Sequence, residues 1–409
     1  MGRARRAAFG RAAAALFVVI AVSCTTGHRR PGSSPKSAES GLNGEAGAPP
    51  PPASLDGLGP PPGVSRPTGG VFTAPGGIPR GCSVDVTPQL ASWIASVPDN
   101  SVLSFPKDAC YEIDGTLGIE DRRDLLIEGN GATLKAKTEG DRNRAHLRIR
   151  RSSNITVRGL VVRGANPAAG TGDAAYRPKL EGQHAFDLGR VDGVLLDDVQ
   201  AYDVFGDFVY IGGGDTPSTN VTVRNSHFAR NGRQGISVTN GEDILIEANF
   251  ISDVRRSLFD LEPNGKTGRA LHVKLLFNRT GRVHNFWLAS KGAGSDVGDV
   301  LARGNDMQAA SGNVAWVRTP PWLGPRKGFT FDRNTFLTRN DVSDEGSVGA
   351  LFFENCADVT VTGNRVKFSQ DVPAVELRRD SRVDVHGNHF QGSTAPVKAD
   401  AASSDVQRG

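Results

Sequence analysis

Apolar and polar positions repeat in one short pattern between residues 244 and 390. The first clear copy is Ile244-x-Ile246-x-x-Asn249-x-Ile251, in which apolar residues keep fixed distances from an asparagine. Five more copies follow, with their asparagines at Asn278, Asn305, Asn334, Asn364 and Asn388. Successive asparagines are 24 to 30 residues apart, the period expected for the coils of a solenoid. In an earlier and looser copy, from Val221 to Phe228, Asn225 is displaced by one position.

Each copy predicts a strand, a tight bend and a second strand, because its apolar residues alternate with polar ones. Helical repeats of similar length would space their apolar residues by about 3.6 positions, and these copies do not. We therefore predict an all-β fold, a right-handed parallel β-helix with one strand per sheet in each coil and three sheets. Asparagine suits the bend because it tolerates left-handed backbone angles and its amide bonds nearby backbone groups. Stacked coils would also align the asparagine side chains in a hydrogen-bonded ladder.

A second set of strands is predicted between successive asparagine bends. Its members are residues 185–188, 208–211, 235–238, 258–262, 286–288, 314–317, 351–353 and 375–377. Alternation places one group of their side chains in the interior: Phe186, Leu188, Ile236, Val238, Phe259, Leu261, Phe286 and Leu288. It places another group on the outer face, on coils about 4.8 Å apart: Asp187, Tyr210, Ser237, Asp260, Glu262 and Trp287. The turns before these strands add further polar side chains: Gln183, His184, Asp207, Arg233, Gln234, Arg255 and Arg256.

A short amphipathic helix is predicted before the first coils. Thr87 is expected to cap it, and Pro88 suits its first position, where no N–H needs an intrahelical partner. Four apolar side chains fall on one helical face: Leu90, Trp93, Ile94 and Val97. The helix would cover the open end of the solenoid, which otherwise exposes apolar surface and unpaired strand edges.

The composition fits a turn-rich β protein, with 50 glycines and only 22% charged residues. The net charge is +4, but Arg3, Arg5, Arg6 and Arg11 lie in a segment that we expect to be removed. Subtracting these four from 48 basic residues leaves 44, which equals the 44 acidic residues. A neutral mature chain gives no electrostatic case for nucleic acid as a partner. We also find no phosphate loop, dinucleotide fingerprint or metal-spaced set of Cys and His.

Residues 1–23 have the pattern of a secretion signal, with basic residues before an apolar run from Ala12 to Val22. This run is short for a transmembrane span. Ala21-Val22-Ser23-Cys24 resembles the bacterial lipobox, whose cysteine is lipidated and becomes the first residue; ordinary signal cleavage nearby is the alternative. In either case we expect an exported protein, held at the outer face of the cell membrane by lipidated Cys24 or located in the cell wall or outside the cell.

Residues 24–80 are predicted to form a flexible tether. Half of the 24 prolines fall between Pro31 and Pro79, among Gly, Ser and Ala, so the segment has little with which to build a core. The β-helix domain is predicted to cover residues 81–395, and residues 396–409 are predicted to be a disordered tail.

Cys82 and Cys110 bracket the predicted helix. Exported proteins form disulfides, and this pair would close a loop of about 28 residues. With Cys24 lipidated, Cys356 remains as a third thiol, so three pairings are open from the sequence. We favour a Cys82–Cys110 disulfide and a buried free thiol at Cys356.

The segment from Ser101 to Ala136 carries three phrases that point to one superfamily. They are Phe105-Pro106, Tyr111-x-Ile113-x-Gly115 and Leu126-Ile127-x-Gly129-Asn130-Gly131. Together with the asparagine copies, they make residues 81–395 resemble the pectin-lyase-like superfamily. In its carbohydrate-active members, the sheet equivalent to our second strand set forms the substrate cleft with its flanking loops. The insertion from Asn166 to Gly182 and the loop from Arg318 to Lys327 would wall such a cleft.

The resemblance implies no particular activity, because the superfamily contains lyases, hydrolases, epimerases and non-catalytic proteins. Polygalacturonases carry an Asn-Thr-Asp, Asp-Asp, Gly-His-Gly and Arg-x-Lys series. Of these motifs, this sequence matches only Asp-Asp, at Asp197-Asp198. The Trp-Ile-Asp-His phrase of pectate lyases and the Asp-Pro-His-Asp phrase of mannuronan epimerases are missing. No catalytic residue is therefore transferred from a family.

Asp260 and Glu262 are the leading catalytic candidates, and Asp207 is a third. Asp260 and Glu262 are two positions apart on one strand, so both point outward with α-carbons about 6.6 Å apart. Carboxyl separations of about 5 to 9.5 Å cover both retaining and inverting glycosidases, which makes a general acid beside a base possible. The alternative is that nearby cations simply neutralise these acids: Arg255, Arg256 and Lys266.

The remaining polar residues of this face are candidates for binding a sugar chain, Asp187 among them. Tyr210 and Trp287 offer rigid rings that stack on sugars, although a register shift of one would make Trp287 a core residue. Three side chains would bind a uronate carboxylate: Arg233, Gln234 and Arg256. The base of a lyase would be His184, Tyr210 or Arg233, although a lone turn histidine such as His184 is often only a surface residue.

No cofactor is expected. Four carboxylates of this face are possible oxygen ligands for Ca²⁺, but they extend across too many coils for one site: Asp187, Asp207, Asp260 and Glu262.

Two functions are compatible with this face. We favour a polysaccharide lyase or glycoside hydrolase that acts in a groove from Asp187 to Trp287. The alternative is a non-catalytic glycan-binding or cell-surface scaffold protein that uses the same face. The expected partners are a polysaccharide and, through the lipid anchor, a membrane; the expected state is a monomer. An enzyme needs Asp260 or Glu262 unpaired and reachable, whereas a binding protein needs only the aromatic rings.

Overall fold

The structure is a computed structural model of the chain. It describes residues 61–263, 267–291, 296–310, 312–338, 348–368, 371–393 and 395–409. The predicted signal sequence, Cys24 and the tether up to residue 60 lie outside the described residues. Within the described ranges, no helix is both long and apolar enough to cross a membrane.

The described residues form three parallel sheets, named A, B and C. Sheet A contains β1 (Val71–Thr73), β2 (Ser101–Ser104), β5 (Arg123–Glu128), β8 (Ser153–Arg158), β11 (Asp192–Asp197), β14 (Ser218–Arg224), β17 (Gly241–Glu247), β20 (Arg269–Leu276), β23 (Asp296–Arg303), β26 (Arg326–Asp332), β29 (Cys356–Thr362), β32 (Ser381–His386) and β35 (Ser404–Arg408). Sheet B contains β3 (Cys110–Glu112), β6 (Thr133–Lys135), β9 (Val161–Arg163), β12 (Gln200–Val204), β15 (His227–Asn231), β18 (Phe250–Ser252), β21 (Arg279–Val283), β24 (Asp306–Ala310), β27 (Thr335–Thr338), β30 (Arg365–Phe368) and β33 (His389–Gln391). Sheet C contains β4 (Leu117–Glu120), β7 (Leu147–Arg150), β10 (Phe186–Gly189), β13 (Val209–Gly212), β16 (Ile236–Val238), β19 (Phe259–Leu261), β22 (Phe286–Ser290), β25 (Asn313–Arg318), β28 (Leu351–Glu354), β31 (Val375–Arg378) and β34 (Val397–Ala399).

From β2 onward, the chain visits the sheets in the order A, B, C in each coil, and each strand pairs with the strand three later in the chain; β1 pairs with β2. The predicted parallel β-helix is therefore confirmed. The eight predicted strands between the asparagine bends correspond to the sheet C strands from β10 to β31. One continuous apolar core fills the interior, and it includes Phe186, Ile236 and Phe259 as predicted.

The asparagine ladder is present, and its members are buried except for Asn388 at its end. Side-chain amides donate to the next coil's asparagine along the series Asn249, Asn278, Asn305, Asn334, Asn364 and Asn388, over 2.9 to 3.1 Å. The second hydrogen of each amide donates to a carbonyl at the end of a sheet A strand, as from Asn278 to Ile246. Each ladder asparagine after the first also accepts the backbone N–H of the previous one.

The left-handed residue at each bend is the one before the asparagine, such as Ala248 (φ 52°) or Arg333 (φ 52°). The expectation that asparagine is needed for its left-handed backbone is therefore wrong at these positions, and its amide explains its presence. The looser copy differs because Asn225 takes the left-handed position (φ 52°) and Ser226 takes the ladder position. The Ser226 N–H donates to Asn249 Oδ1 over 3.0 Å.

The predicted capping helix is α1 (Thr87–Ser96), and Leu90, Trp93 and Ile94 are buried as expected. The helix begins at Thr87 itself, and the Asp85 carboxylate accepts the Thr87 N–H over 2.9 Å. The disulfide between Cys82 and Cys110 is confirmed. Cys356 is a buried free thiol, as predicted.

Both predicted boundaries of the folded domain are wrong. Val71–Thr73 adds β1 to the edge of β2, and the Gly69 N–H donates to the Asn100 carbonyl over 3.0 Å. A proline- and glycine-rich segment can add a strand here because the first coil offers an unpaired edge. At the other end, residues 397–399 and 404–408 form β34 and β35 instead of a disordered tail. Val397 and Val406 pack against the core.

Candidate functional site

One row of outward side chains crosses sheet C at paired positions. We call it the outer row of sheet C, and it contains Arg148, Asp187, Tyr210, Ser237, Asp260, Ala289, Trp316, Phe352 and Glu376. The members from Arg148 to Asp260 are polar. The next three are apolar, so the character of this face changes after Asp260.

The apolar part of the outer row is covered. Ala289, Trp316 and Phe352 pack with Phe286 and Val348 in a buried cluster separate from the main core. Phe286 was expected inside the solenoid, and this expectation is wrong. The predicted groove therefore does not extend across the strands that follow Asp260.

Trp287 is buried in the main core, so its prediction as an exposed sugar platform is wrong. Its ring meets Phe259 and Phe336 at centroid distances of 5.0 Å each. It occupies the corner between sheets B and C, as Leu258 does one coil earlier, and both side chains point inward. Simple alternation fails here because the chain turns at the corner and two successive residues, Trp287 and Leu288, face the core.

Asp187 is held by two arginines of β7. Its Oδ2 accepts from Arg148 Nε over 2.8 Å and from Arg150 Nη2 over 3.0 Å. The carboxylate is only 4% exposed, and its Oδ1 is buried without a hydrogen-bond partner. Asp187 is thus neutralised by protein cations, while Arg150 remains partly exposed beside it.

Tyr210 and His184 form a stacked pair, with ring centroids 4.7 Å apart and planes inclined by 10°. The Tyr210 hydroxyl accepts from Thr239 Oγ1 over 2.9 Å. Burial raises the pKa of Tyr210 and lowers the pKa of His184. His184 Nδ1 accepts the Asp207 N–H over 3.0 Å, so the neutral ring carries its proton on Nε2.

Asp207 has no exposed side-chain surface and its carboxylate is saturated. It accepts from Arg233 Nη1, from the Gln234 N–H over 3.0 Å and from Ser237 Oγ over 2.8 Å. These bonds join the corner of one coil to the next. We therefore assign Asp207 a structural role, and it leaves the set of catalytic candidates.

The insertion from Asn166 to Gly182 contacts this face. Tyr176 donates its hydroxyl to Glu181 over 2.8 Å, and Glu181 lies 3.4 Å from Arg233 Nε. The Arg256 guanidinium sits over the Tyr176 ring, 5.3 Å from its centroid. Arg255 pairs with Asp173 of the insertion over 2.7 Å.

Asp260 and Glu262 are the two carboxylates of this face without an arginine partner. Asp260 is 2% exposed, and its Oδ2 accepts from Gln234 Nε2 over 2.9 Å. Glu262 is half-buried and forms no side-chain hydrogen bond or ion pair with another described residue. Burial, and then repulsion from Glu262, raises the pKa of Asp260 to about 8, against the opposite influence of Arg233 and Arg256. Asp260 therefore keeps its proton at neutral pH.

The alternative that the nearby arginines form ion pairs with Asp260 and Glu262 does not hold. Arg255 is engaged by Asp173, and Arg256 is stacked on Tyr176. Lys266 lies outside the described residues.

Across the described ranges, one set of three possible metal ligands occurs, and it is on sheet A: Glu242, Asp243 and His272. The four sheet C carboxylates considered for Ca²⁺ do not converge on one point in this way. Asp187 and Asp207 are instead bound by arginines.

Several solved structures share this chain path. The catalytic domain of Agl-KA has a TM-score of 0.62 and 10% identity, covering 86% of this chain and 70% of that one. The surface protein and adhesin PfbA of Streptococcus pneumoniae has a TM-score of 0.60 and 13% identity, covering 83% and 97%. A family 28 exopolygalacturonase of Yersinia enterocolitica has a TM-score of 0.56 and 12% identity, covering 81% and 78%. This chain has the pectin-lyase-like right-handed parallel β-helix fold.

These likenesses show the fold alone, because the sequence identities are low. No protein-family model matches the sequence, and no curated protein matches it either. The function of this β-helix must therefore be argued from its own residues.

Sequence reasoning missed four residues of the site: Arg148, Arg150, Tyr176 and Glu181. The two arginines are detectable in principle, because Leu147-Arg148-Ile149-Arg150 alternates like the other sheet C strands. Tyr176 and Glu181 carry no local signal, since they lie in an irregular insertion whose position depends on the packing of the β-helix.

Proposed function

We propose that this β-helix is a glycoside hydrolase that cleaves a polysaccharide at the polar part of the outer row of sheet C. Asp260 is the proton donor and Glu262 is the second carboxylate. The observation that carries the proposal is that these neighbouring carboxylates lack a cation partner among the described residues, whereas Asp187 and Asp207 are bound by arginines.

The chemistry requires one protonated and one available carboxyl group. Protonated Asp260 would give its proton to the glycosidic oxygen as the bond to the anomeric carbon breaks. Glu262 would either take a proton from the attacking water or bond to the anomeric carbon before water releases the sugar. A pKa near 8 suits the donor, because a large fraction of Asp260 keeps its proton at neutral pH.

Hydrolysis is better supported than lysis because the three candidate lyase bases are compromised. His184 Nδ1 is occupied by the Asp207 N–H. Burial raises the pKa of Tyr210, which makes its phenolate harder to form. Arg233 is engaged by Asp207 and Glu181, and its pKa is raised chiefly by Asp207.

A second candidate function is glycan binding without catalysis. Tyr176 and Tyr210 are half-buried rings near the same face, and one protein of similar fold is an adhesin. This alternative needs neither Asp260 nor Glu262 to change protonation.

The test is to incubate the full-length protein with neutral and acidic polysaccharides and to measure new reducing ends. Asp260→Asn and Glu262→Gln should each lower the rate at least about a hundredfold. Glu120→Gln is the matched control, because Glu120 faces outward from sheet C in the row of Glu262 but is paired with Arg151. The wild-type rate should also fall above about pH 8 as Asp260 loses its proton.

Other outcomes would reject the hydrolase. Unsaturated uronates, detected by absorbance, would make the protein a lyase. Retention of a glycan without any new reducing ends would instead support the non-catalytic glycan-binding function.

We also propose that the protein is exported and lipid-anchored through Cys24. The N-terminal pattern supports export, and the Cys82–Cys110 disulfide is the kind of bond that persists outside the cytosol. Labelled palmitate should enter the wild-type protein and not the Cys24→Ala variant. Equal labelling of both would refute the anchor.

A further inference from the structure

The outer face of sheet B carries more cations than acids among the described residues. In its strands, the second residue points into the core, as Leu134, Val162 and Ile251 do, so the residues on either side of it point outward. The outward cations are Lys135, Arg163, Arg230, Arg279, Arg282, Arg365 and Lys367. The outward acids, including one just after β18, are Glu112, Asp203, Asp253 and Asp306.

Several of these charges cancel locally. Arg230 pairs with Asp203 over 2.7 Å, and Arg282 pairs with Asp253 over 2.5 Å. Glu112 lies 3.6 Å from Lys137. Five cations of this face remain without an ion pair to any described residue: Lys135, Arg163, Arg279, Arg365 and Lys367.

A row of aromatic rings lies between Arg163 and Arg279, two of these five cations. Tyr202 meets His227 at 5.5 Å, and His227 meets Phe250 at 5.0 Å, both edge to face. All three rings are half-buried. The guanidinium groups of Arg163 and Arg230 lie over the Tyr202 ring, 4.9 and 5.6 Å from its centroid.

The register places these side chains in one continuous surface. Lys135, Arg163 and Tyr202 occupy paired positions on β6, β9 and β12. His227, Phe250 and Arg279 occupy paired positions on β15, β18 and β21. These six residues are the sheet B patch, which extends about 24 Å along the solenoid at about 4.8 Å per strand.

The chemistry of the patch favours a linear ligand with repeated carboxylates. Its free cations lie at both ends, and stacking on Tyr202 restrains the Arg163 guanidinium, whose planar fork binds carboxylates bidentately. Single-stranded nucleic acid fits less well, because it needs open aromatic faces for its bases. Guanidinium groups lie over the Tyr202 ring, and His227 is contacted by both neighbouring rings.

We propose that the sheet B patch binds an acidic polysaccharide, at a site separate from Asp260 and Glu262 on sheet C. The patch would hold a polyuronate chain along the solenoid axis. The proposal does not depend on the hydrolase activity.

The experiment measures retardation of the full-length protein in native gels that contain polygalacturonate or its fully methyl-esterified form. The wild type should be retarded by the acid form only, and added salt should weaken the effect. Arg163→Gln with Arg279→Gln should weaken binding about tenfold, since exposed charge contacts are individually modest. The matched control is Lys274→Gln with Lys327→Gln, which removes two sheet A cations that form no ion pair with another described residue, and it should leave binding within about twofold of wild type.

Three results would overturn the proposal. One is equal binding by the Arg163/Arg279 double variant and the wild type. Another is loss of binding in Glu262→Gln, which would place the glycan on sheet C. The third is equally strong and equally Arg163-dependent binding of a single-stranded DNA oligonucleotide, which would assign the patch to nucleic acid. Matching thermal melts of the variants would show that any loss of binding is local.

Discussion

Replacing Asn305 by alanine removes a central rung of the asparagine ladder. Asn305 Oδ1 accepts from the Asn278 backbone N–H over 2.9 Å and from Asn278 Nδ2 over 3.1 Å. Its Nδ2 donates to the Leu275 carbonyl over 2.8 Å and to Asn334 Oδ1 over 2.9 Å. The three asparagines are at most 1% exposed, so water cannot easily replace the lost groups.

The expected cost comes mainly from the donors that are left without an acceptor. Asn278 loses acceptors for its backbone N–H and for one amide hydrogen, and each buried orphan costs about 1–3 kcal/mol. The total loss is therefore about 2–6 kcal/mol. Asn388→Ala is the matched control, because Asn388 ends the described ladder and is partly exposed. Water can reach the groups it leaves, so its loss should be about 1 kcal/mol.

Hydrogen exchange at the Asn278 amide is the most direct assay, because a solenoid need not unfold in one cooperative step. In Asn305→Ala, this amide should exchange at least about tenfold faster, since about 1.4 kcal/mol corresponds to a factor of ten. In Asn388→Ala, it should exchange at the wild-type rate. An Asn278 amide that stays protected in Asn305→Ala would refute the ladder as a stabilising element. Equal losses of thermal stability in the two variants would refute the role of burial.

Three further predictions concern the site, the cap and the core. The pKa of Asp260 is 3.8 in an unfolded chain and about 8 in the fold. The contribution of protonated Asp260 to the free energy of unfolding is therefore fully present below about pH 4, and it is lost as the pH rises to about 8. Thermal melts across this range should show the wild type losing a few kcal/mol relative to Asp260→Asn, and parallel curves would contradict the raised pKa. Reduction of the Cys82–Cys110 disulfide should cost about 3–4 kcal/mol for its 28-residue separation, whereas a Cys82→Ser, Cys110→Ser variant should be insensitive to reductant in calorimetry. Trp287→Ala should lower the free energy of unfolding in denaturant by about 3–5 kcal/mol, because the ring is buried. Trp322→Ala should lower it by less than about 0.5 kcal/mol, because that side chain is 82% exposed. Similar losses in the two variants would contradict the burial of Trp287.

The interior of the β-helix was largely predictable because its rules are local. Alternation along a strand decides which side chains face inward, and it placed Ile236, Phe259 and Leu261 correctly. The ladder could be predicted because identical amides at a constant period must meet when the coils stack. The same local logic failed at both chain ends, where packing against an existing edge supplied strands that composition did not suggest.

The sequence alone determined the coil period, the three sheets, the buried ladder and the capping helix, because each depends on residues close together in the chain. Tertiary structure alone decided the site. It turned Trp287 inward at a corner, saturated Asp207 with three donor residues, and paired Arg255 with Asp173, 82 residues earlier. Burial and hydrogen bonding depend on neighbours from other coils and from the insertion. Asp260 and Glu262 therefore became distinct from the other acids only when the coils and the insertion were placed together.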